Sequence, residues 1–398
     1  MNYVEPRTQM RRTELVTALE SVCEALELSD SQYDTAKNRY EGVGQWLADS
    51  NDPLLRKIVI FLQGSTALGT TVKPIGINEH DVDLVAHVPD LDAEVSPAAL
   101  KKAIGDRLRD NGNYASLLKE MLRCWRLDYA NEFHLDITPS IPNPLCRFGG
   151  ELVPDKTLKI WKPSNPKGYK ELFNRRARLV PVIRVRKSVT AADSMRGNVE
   201  PYPAAVGFKG ILRRCVQIAK RHRDVHFIDE DPCLAPLSVI LTTLTSRSYE
   251  AAVTNNEYDN ELELLCDVIR HMPDTIEMRN VDGRQHWFIR NETTDGENFA
   301  EKWNEQPKRA AAFFAWHERI VSDIEALETI RGIDRLAESL KGLFGTRPAT
   351  IAIGSLTERF SEARRANRLR VAPTVGLSIA AIPASTAVRA NTFFGGNR

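Results

Sequence analysis

The chain has 398 residues and a mass of 44.8 kDa, enough to bury a sizeable core and to form two lobes. With 42% hydrophobic and 27% charged residues it has the make-up of a folded protein rather than a disordered one. A net charge of +1 excludes a polycation that coats nucleic acid, so any phosphate recognition has to be local.

The first residues, Met1-Asn2-Tyr3-Val4-Glu5, lack the apolar stretch of a signal peptide, and no run approaches the ~20 apolar residues that span a bilayer. A cytoplasmic protein with no membrane partner is expected. Six cysteines are scattered without Cys-x-x-Cys or zinc spacing, which suits reduced thiols in core positions. Ser29-Asp30 is placed to cap a helix whose positions Tyr33, Ala36, Tyr40, Val43 and Leu47 step by three and four, ending near Ser50-Asn51-Asp52-Pro53. Ile58-Val59-Ile60-Phe61-Leu62 reads as a buried strand that breaks at Gly64. A second strand is expected over about 82–88, a helix over about 96–122 opened by Ser96-Pro97, and a third strand at Phe133 to Ile137 stopping before Pro139. Prolines and glycines punctuate 140–205, the pattern of a loop and crossover between lobes. Beyond it Phe208, Ile211, Leu212, Cys215, Ala219 and His222 form one helix face, and Pro236 to Thr245 continues as another helix. After Pro373 the residues are small, and from Ala363 onward there is no Asp or Glu, so 373–398 reads as a flexible tail.

The chemistry concentrates in three aspartates. Side chains two apart in a strand share a face, so Asp81 and Asp83 emerge together while Val82 and Leu84 enter the core. The same alternation turns Asp136 away from Phe133, Leu135 and Ile137. If the strands are neighbours, three carboxylates converge, raise one another's proton affinity, and call for cations. Two Mg²⁺ ions ~3.5–4 Å apart, or Mn²⁺ in their place, would relieve that repulsion and serve phosphoryl transfer. Upstream, Gln63-Gly64-Ser65 places a glycine where backbone approaches phosphate closely, with the Ser65 hydroxyl beside it. An Asp-x-Asp pair alone is common, and so is a Gly-Ser turn. Strand, Gly-Ser, spacer, Asp-x-Asp and a later strand aspartate together are specific.

These residues resemble the DNA polymerase β nucleotidyltransferase superfamily. More narrowly, Gln63 to Pro74 running into His80-Asp81-Val82-Asp83-Leu84-Val85 looks like the bacterial cGAS/DncV-like nucleotidyltransferases (CD-NTases) of CBASS antiphage defence. The segments Phe133 to Pro139, Trp161 to Tyr169 and Arg213 to Asp224 look like the same family, over roughly residues 55–245. The resemblance implies an α+β, bilobed fold: a mixed-sheet nucleotidyltransferase core with N-terminal helices (1–200), a helical lobe (201–372) and the tail (373–398). It implies that Gln63, Gly64 and Ser65 bind nucleotide phosphates, and that Asp81, Asp83 and Asp136 ligate metal and are catalytic, with Asp136 helping to deprotonate the attacking hydroxyl. Lys220 and Ser238 match family positions that touch the triphosphate. The position after that serine is a base-stacking aromatic in animal cGAS and is Val239 here, which leaves base recognition open.

Read from spacing alone, Lys209, Arg213, Gln217 and Lys220 share a helix stripe that is either solvated surface or a triphosphate contact. His222 and His226 are satisfied or surface histidines, or a base or metal pair. Trp161 and Tyr169 either stack on a base or anchor their loop. The implied reaction joins NTPs (ATP, with GTP) into a cyclic di- or trinucleotide with release of pyrophosphate. The rival is a template-independent RNA-tailing or tRNA nucleotidyltransferase, which shares the core motif; no stable nucleic-acid partner is expected. A protein whose cleft only binds nucleotide would have lost a carboxylate. Gly395-Gly396 resembles a ubiquitin-like tail on which an E1/E2-like partner could act, or is an ordinary chain end.

Overall fold

A computed structural model describes residues 6–76, 80–129, 133–184, 210–372, 376–379 and 385–388. Helix α1 (Pro6–Leu26) leads into α2 (Asp30–Ala48), whose start is fixed by a capping box: Ser29 accepts from the Gln32 amide and the Gln32 side chain accepts from Ser29 N–H at 3.1 Å. Strand β1 (Val59–Gln63), the short helix α3 (Gly64–Leu68) and strand β2 (His80–His87) follow. Next come α4 (Pro97–Arg109), the single turn α5 (Gly112–Ala115), and strands β3 (Leu118–Glu120), β4 (Trp125–Tyr129) and β5 (Phe133–Pro142). The sheet order is β1-β2-β5-β4-β3, with β2 and β5 parallel and the other pairs antiparallel.

One face of this sheet is apolar. Val82, Leu84, Leu127, Leu135 and Ile137 pack with Tyr40, Val43 and Leu47 of α2 and Leu100, Ile104 and Leu108 of α4. The alternation that buries them puts Gln63, Asp81, Asp83 and Asp136 on the other face.

The helix expected over 96–122 ends at Arg109 instead. Asp110-Asn111-Gly112 interrupts it, and Asn111 caps the next turn by accepting from Asn113 N–H. The segment 140–205, expected as loop, holds regular structure. Strand β5 runs on through Pro139 to Pro142, past the point where β4 stops pairing, an edge position that tolerates proline. Strands β6 (Glu151–Pro154) and β7 (Trp161–Ser164) extend that end of the sheet. Helix α6 (Pro166–Ala177) then starts with proline at its first position and Asn165 as its cap, so the proline marks a beginning rather than a break.

The helical lobe contains α7 (Ile211–His226), α8 (Ser238–Asn255), α9 (Glu261–Arg270), α10 (Glu301–Glu305), α11 (Lys308–Thr329), α12 (Ile333–Phe344) and α13 (Thr346–Arg365). Strand β8 (Val182–Ile183) pairs with β9 (Glu257–Tyr258), and β10 (Glu277–Val281) forms a hairpin with β11 (Arg284–Phe288). Helix α1 packs against this lobe. Its Leu15, Leu19, Val22 and Leu26 share a cluster with Leu212, Leu244 and Leu340. A helix stripe finds whichever apolar surface is unfilled, and α2 and α4 already cover the sheet.

Within the segment expected as tail, β13 (Gly376–Ser378) and β14 (Thr386–Ala387) pair with β12 (Arg370–Ala372). Gly395 and Gly396 lie outside the described residues. Among the described residues no helix is long and apolar enough to cross a membrane.

Candidate active site

The site begins where β1 ends. Gln63 pairs with Asp83, and the chain turns at Gly64 with φ +65°. Glycine is demanded twice there: the backbone is left-handed, and a Cβ would overlap the carboxylate of Asp83. The turn leads into α3, which closes at Gly69, also left-handed with φ +67°.

The three aspartates meet. In the parallel register Asp83 is the partner of Asp136, and Asp81 that of His134. Strand β4 brings in a residue the sequence reading passed over: Arg126 is the register partner of Asp136. Its Nε donates to Asp136 Oδ1 at 2.6 Å and its Nη2 to Asp136 Oδ2 at 2.7 Å, while Nη2 also reaches Asp81 Oδ1 at 3.2 Å. His134 Nδ1 lies 3.2 Å from the same Asp81 oxygen. Burial, then the charges of Asp136 and Asp81, push the Asp83 carboxyl up to about 7, with Arg126 and Lys220 opposing. Among the described residues no three acidic, histidine or cysteine side chains are grouped as a ready metal cage. The donor set still fits hard divalent cations: three carboxylates on one sheet face, one of them raised in proton affinity by its neighbours.

A cavity of about 940 Å³ opens over this face, between the sheet and the helical lobe. Gln63, Gly64, Ser65, Asp81, Asp83, Lys220 and Ser238 all line it, whereas Asp136 does not. Ser238 is the first residue of α8, and its Oγ accepts from Arg223 Nη1 at 3.3 Å. Arg223 also lines the cavity. It lies three residues after Lys220, so the helical spacing that marked the lysine could have found it.

The basic stripe of α7 is not solvated: its donors bond backbone carbonyls, and of Arg213, Gln217 and Lys220 only Lys220 also lines the cavity. Arg213 Nε donates to Leu68 O at 2.8 Å, Lys220 Nζ to Thr70 O at 3.0 Å, Gln217 Nε2 to Thr71 O at 3.0 Å and Arg221 Nη1 to Lys73 O at 3.3 Å. Four donors thus fasten the end of α3 and the segment that follows it. Lys209 lies outside the described residues. Lys220 is buried, which lowers its ammonium to about 8; Arg223 lowers it further while Asp224 and Asp83 oppose.

The histidines are structural. His222 Nδ1 accepts from Trp316 Nε1 at 3.1 Å, and its Nε2 lies 3.1 Å from Asp323 Oδ2, away from the cavity over the aspartates. His226 stacks on it with ring centroids 6.5 Å apart. Trp161 is an anchor, donating to Val95 O at 2.8 Å, while Tyr169 lines the cavity and bonds Thr243 Oγ1 at 2.8 Å.

A glycine turn beside paired strand carboxylates, roofed by a helical lobe, is the architecture of a polymerase β-type nucleotidyltransferase. Comparison with known proteins narrows this. Residues 14–176 match the Second Messenger Oligonucleotide or Dinucleotide Synthetase domain family. The chain is 30% identical over 393 residues to the c-di-GMP synthase of Roseivirga ehrenbergii, covering 98% of this chain and 99% of that one. It is 24% identical over 377 residues to the cyclic dinucleotide synthase CdnG of Bradyrhizobium diazoefficiens, covering 90% and 87%. The structure of that CD-NTase in complex with GTP superposes with a TM-score of 0.64 at 22% identity, over 86% of this chain and 99% of that one. CdnC of E. coli MS115-1, solved with ATP, gives 0.60 at 13% identity, over 83% and 98%. The chain belongs to the CD-NTase family, enzymes that transfer nucleotidyl groups.

Proposed function

We propose that the chain is a cyclic dinucleotide synthase that joins two GTP molecules into c-di-GMP and releases two pyrophosphates, as a second messenger in antiphage defence. The observation that carries the chemistry is the Asp83–Asp136 register beside the Gly64 turn. Guanine is favoured over an adenine-containing or three-base ring because the relative aligned along nearly the whole chain is a c-di-GMP synthase.

The two nucleotides have separate tasks. The donor triphosphate lies against Gln63, Gly64 and the Ser65 hydroxyl, with Lys220 and Ser238 from the helical lobe neutralising and orienting it. Asp136 accepts the proton of the acceptor's ribose hydroxyl as that oxygen attacks the donor α-phosphorus and pyrophosphate leaves. The same step on the linear intermediate closes the ring. Asp81, Asp83 and Asp136 would hold Mg²⁺ or Mn²⁺; bound there, these ions supply charge neutralisation at the transferring phosphate and its leaving group. The protein contributes alignment, which is worth several orders of magnitude when reacting atoms are held in contact.

The test is mass spectrometry of products from purified protein, Mg²⁺ and all four NTPs. A phosphatase-resistant product with the mass of c-di-GMP supports the proposal. Product containing only adenine, a three-base ring, or label retained on an added RNA primer contradicts it, the last in favour of the tailing reaction.

A further inference from the structure

The loop after β11 carries a carboxylate that the nucleotidyl-transfer steps do not use. Asn291 N–H donates to Glu297 O at 3.0 Å, closing a tight excursion between Ile289 and Phe299. Asn291 is buried, and its amide cannot turn: Oδ1 accepts from Thr293 N–H at 2.9 Å and from Thr293 Oγ1 at 2.8 Å. Its Nδ2 is therefore aimed at Glu297 Oε2, 2.8 Å away. The loop is also pinned from outside. Asn165 Nδ2 donates to Thr293 O at 2.7 Å, Asn298 Oδ1 accepts from Ile289 N–H at 2.9 Å, and Phe299 meets Tyr169 edge-on at 6.0 Å.

All this holds one half-buried carboxylate in place, and among the described residues no donor reaches its second oxygen. Asn291, Glu297, Phe299 and Tyr169 line the same cavity as Asp81 and Asp83.

We propose that Glu297, oriented by Asn291, reads the Watson–Crick edge of a guanine bound in this cavity by accepting from its N1–H and N2 amino group. Guanine offers two adjacent donors there. Adenine offers an acceptor, N1, beside its amino group and would set a lone pair against the carboxylate. A site built around a fixed acceptor discriminates strongly, because the wrong base leaves it unpaired. Pre-organisation through Asn291 removes the cost of ordering a glutamate at the moment of binding.

The inference rests on the guanine reading above, and the experiment separates the two. Steady-state kcat/KM is measured for GTP, for inosine triphosphate (which lacks the N2 amino group) and for ATP, with wild type and Glu297→Gln. Wild type should prefer GTP to inosine triphosphate by about ten- to a hundredfold, the worth of a hydrogen bond to a charged group. Glu297→Gln should erase most of that preference and admit ATP, mainly through KM. A purely structural role for Glu297 would lower all three rates together and leave their ratios unchanged, which overturns the inference. Wild-type indifference to the N2 amino group overturns it without any variant. A wild type that cyclises ATP but not GTP overturns the guanine reading itself.

Discussion

Arg126 grips Asp136 through both arms of its guanidinium, at 2.6 and 2.7 Å, and lies 3.2 Å from Asp81. One cation on β4 therefore shares Asp136 and Asp81, while Asp83 has a raised proton affinity. A forked, planar donor fixes a carboxylate's plane, which a lysine does not. Arg126→Met should lower kcat about 10- to 100-fold by releasing Asp136, as loss of partners behind metal ligands commonly does. Arg126→Lys should recover only part. Mn²⁺ titration followed by paramagnetic resonance gives a second readout: affinity should change in Arg126→Met even without nucleotide, and unchanged affinity with unchanged kcat would remove the assigned role.

Gly64 admits no side chain. Alanine there adopts a left-handed backbone, costing about 1–3 kcal/mol, and its methyl displaces the Asp83 carboxylate. Gly64→Ala should lower the melting temperature by several degrees and activity by about 100-fold or more, since small misplacements at a reacting centre are that costly. A folded Gly64→Ala protein with near-normal turnover would place the phosphates elsewhere.

Metal-free stability should depend on pH through Asp83. Its carboxyl, ordinarily at 3.8, titrates at about 7 in the folded chain, so the folded state binds that proton more tightly than the unfolded one. The associated stability is present in full below about pH 4 and is lost as pH rises toward 7. Melting curves in chelator should show wild type losing stability across pH 5–7.5 relative to Asp83→Asn. Added Mg²⁺ should stabilise wild type more at pH 7.5 than at pH 5.5, where a proton must first leave. Parallel pH profiles for the two proteins would contradict this.

Much of the site was legible in the sequence because it is local. Strand alternation fixed the faces of Asp81, Asp83 and Asp136, and Gly64 announced the turn between two strands that pair directly. Arg126 was invisible for the opposite reason: its role comes from cross-strand register with Asp136, which a one-dimensional pattern does not contain. Glu297 needed a loop from the other lobe, pinned to Asn165 across 128 residues of chain. The stripe Arg213, Gln217 and Lys220 was correctly grouped by helical spacing. Its targets, the carbonyls of Leu68, Thr71 and Thr70, follow only once α7 lies against α3. That α1 packs against the helical lobe was not legible, because an apolar stripe states that a face is buried and not against what.

His222 should matter for stability and not for chemistry. Removing it in His222→Ala leaves the buried Trp316 Nε1 without its acceptor, a cost of about 1–3 kcal/mol, while Asp323 keeps Arg319. Thermal melts should shift down while KM for GTP stays within about twofold at a temperature where the variant is folded. A changed KM with an unchanged melt would move this histidine into the site.

The most direct test of the whole account is the double variant Asp81→Ala with Asp83→Ala, assayed for pyrophosphate release and cyclic product from GTP beside wild type. The account predicts a folded protein with turnover reduced to background, because the carboxylates that gather charge at the transferring phosphate are gone. Undiminished turnover in that variant would contradict it.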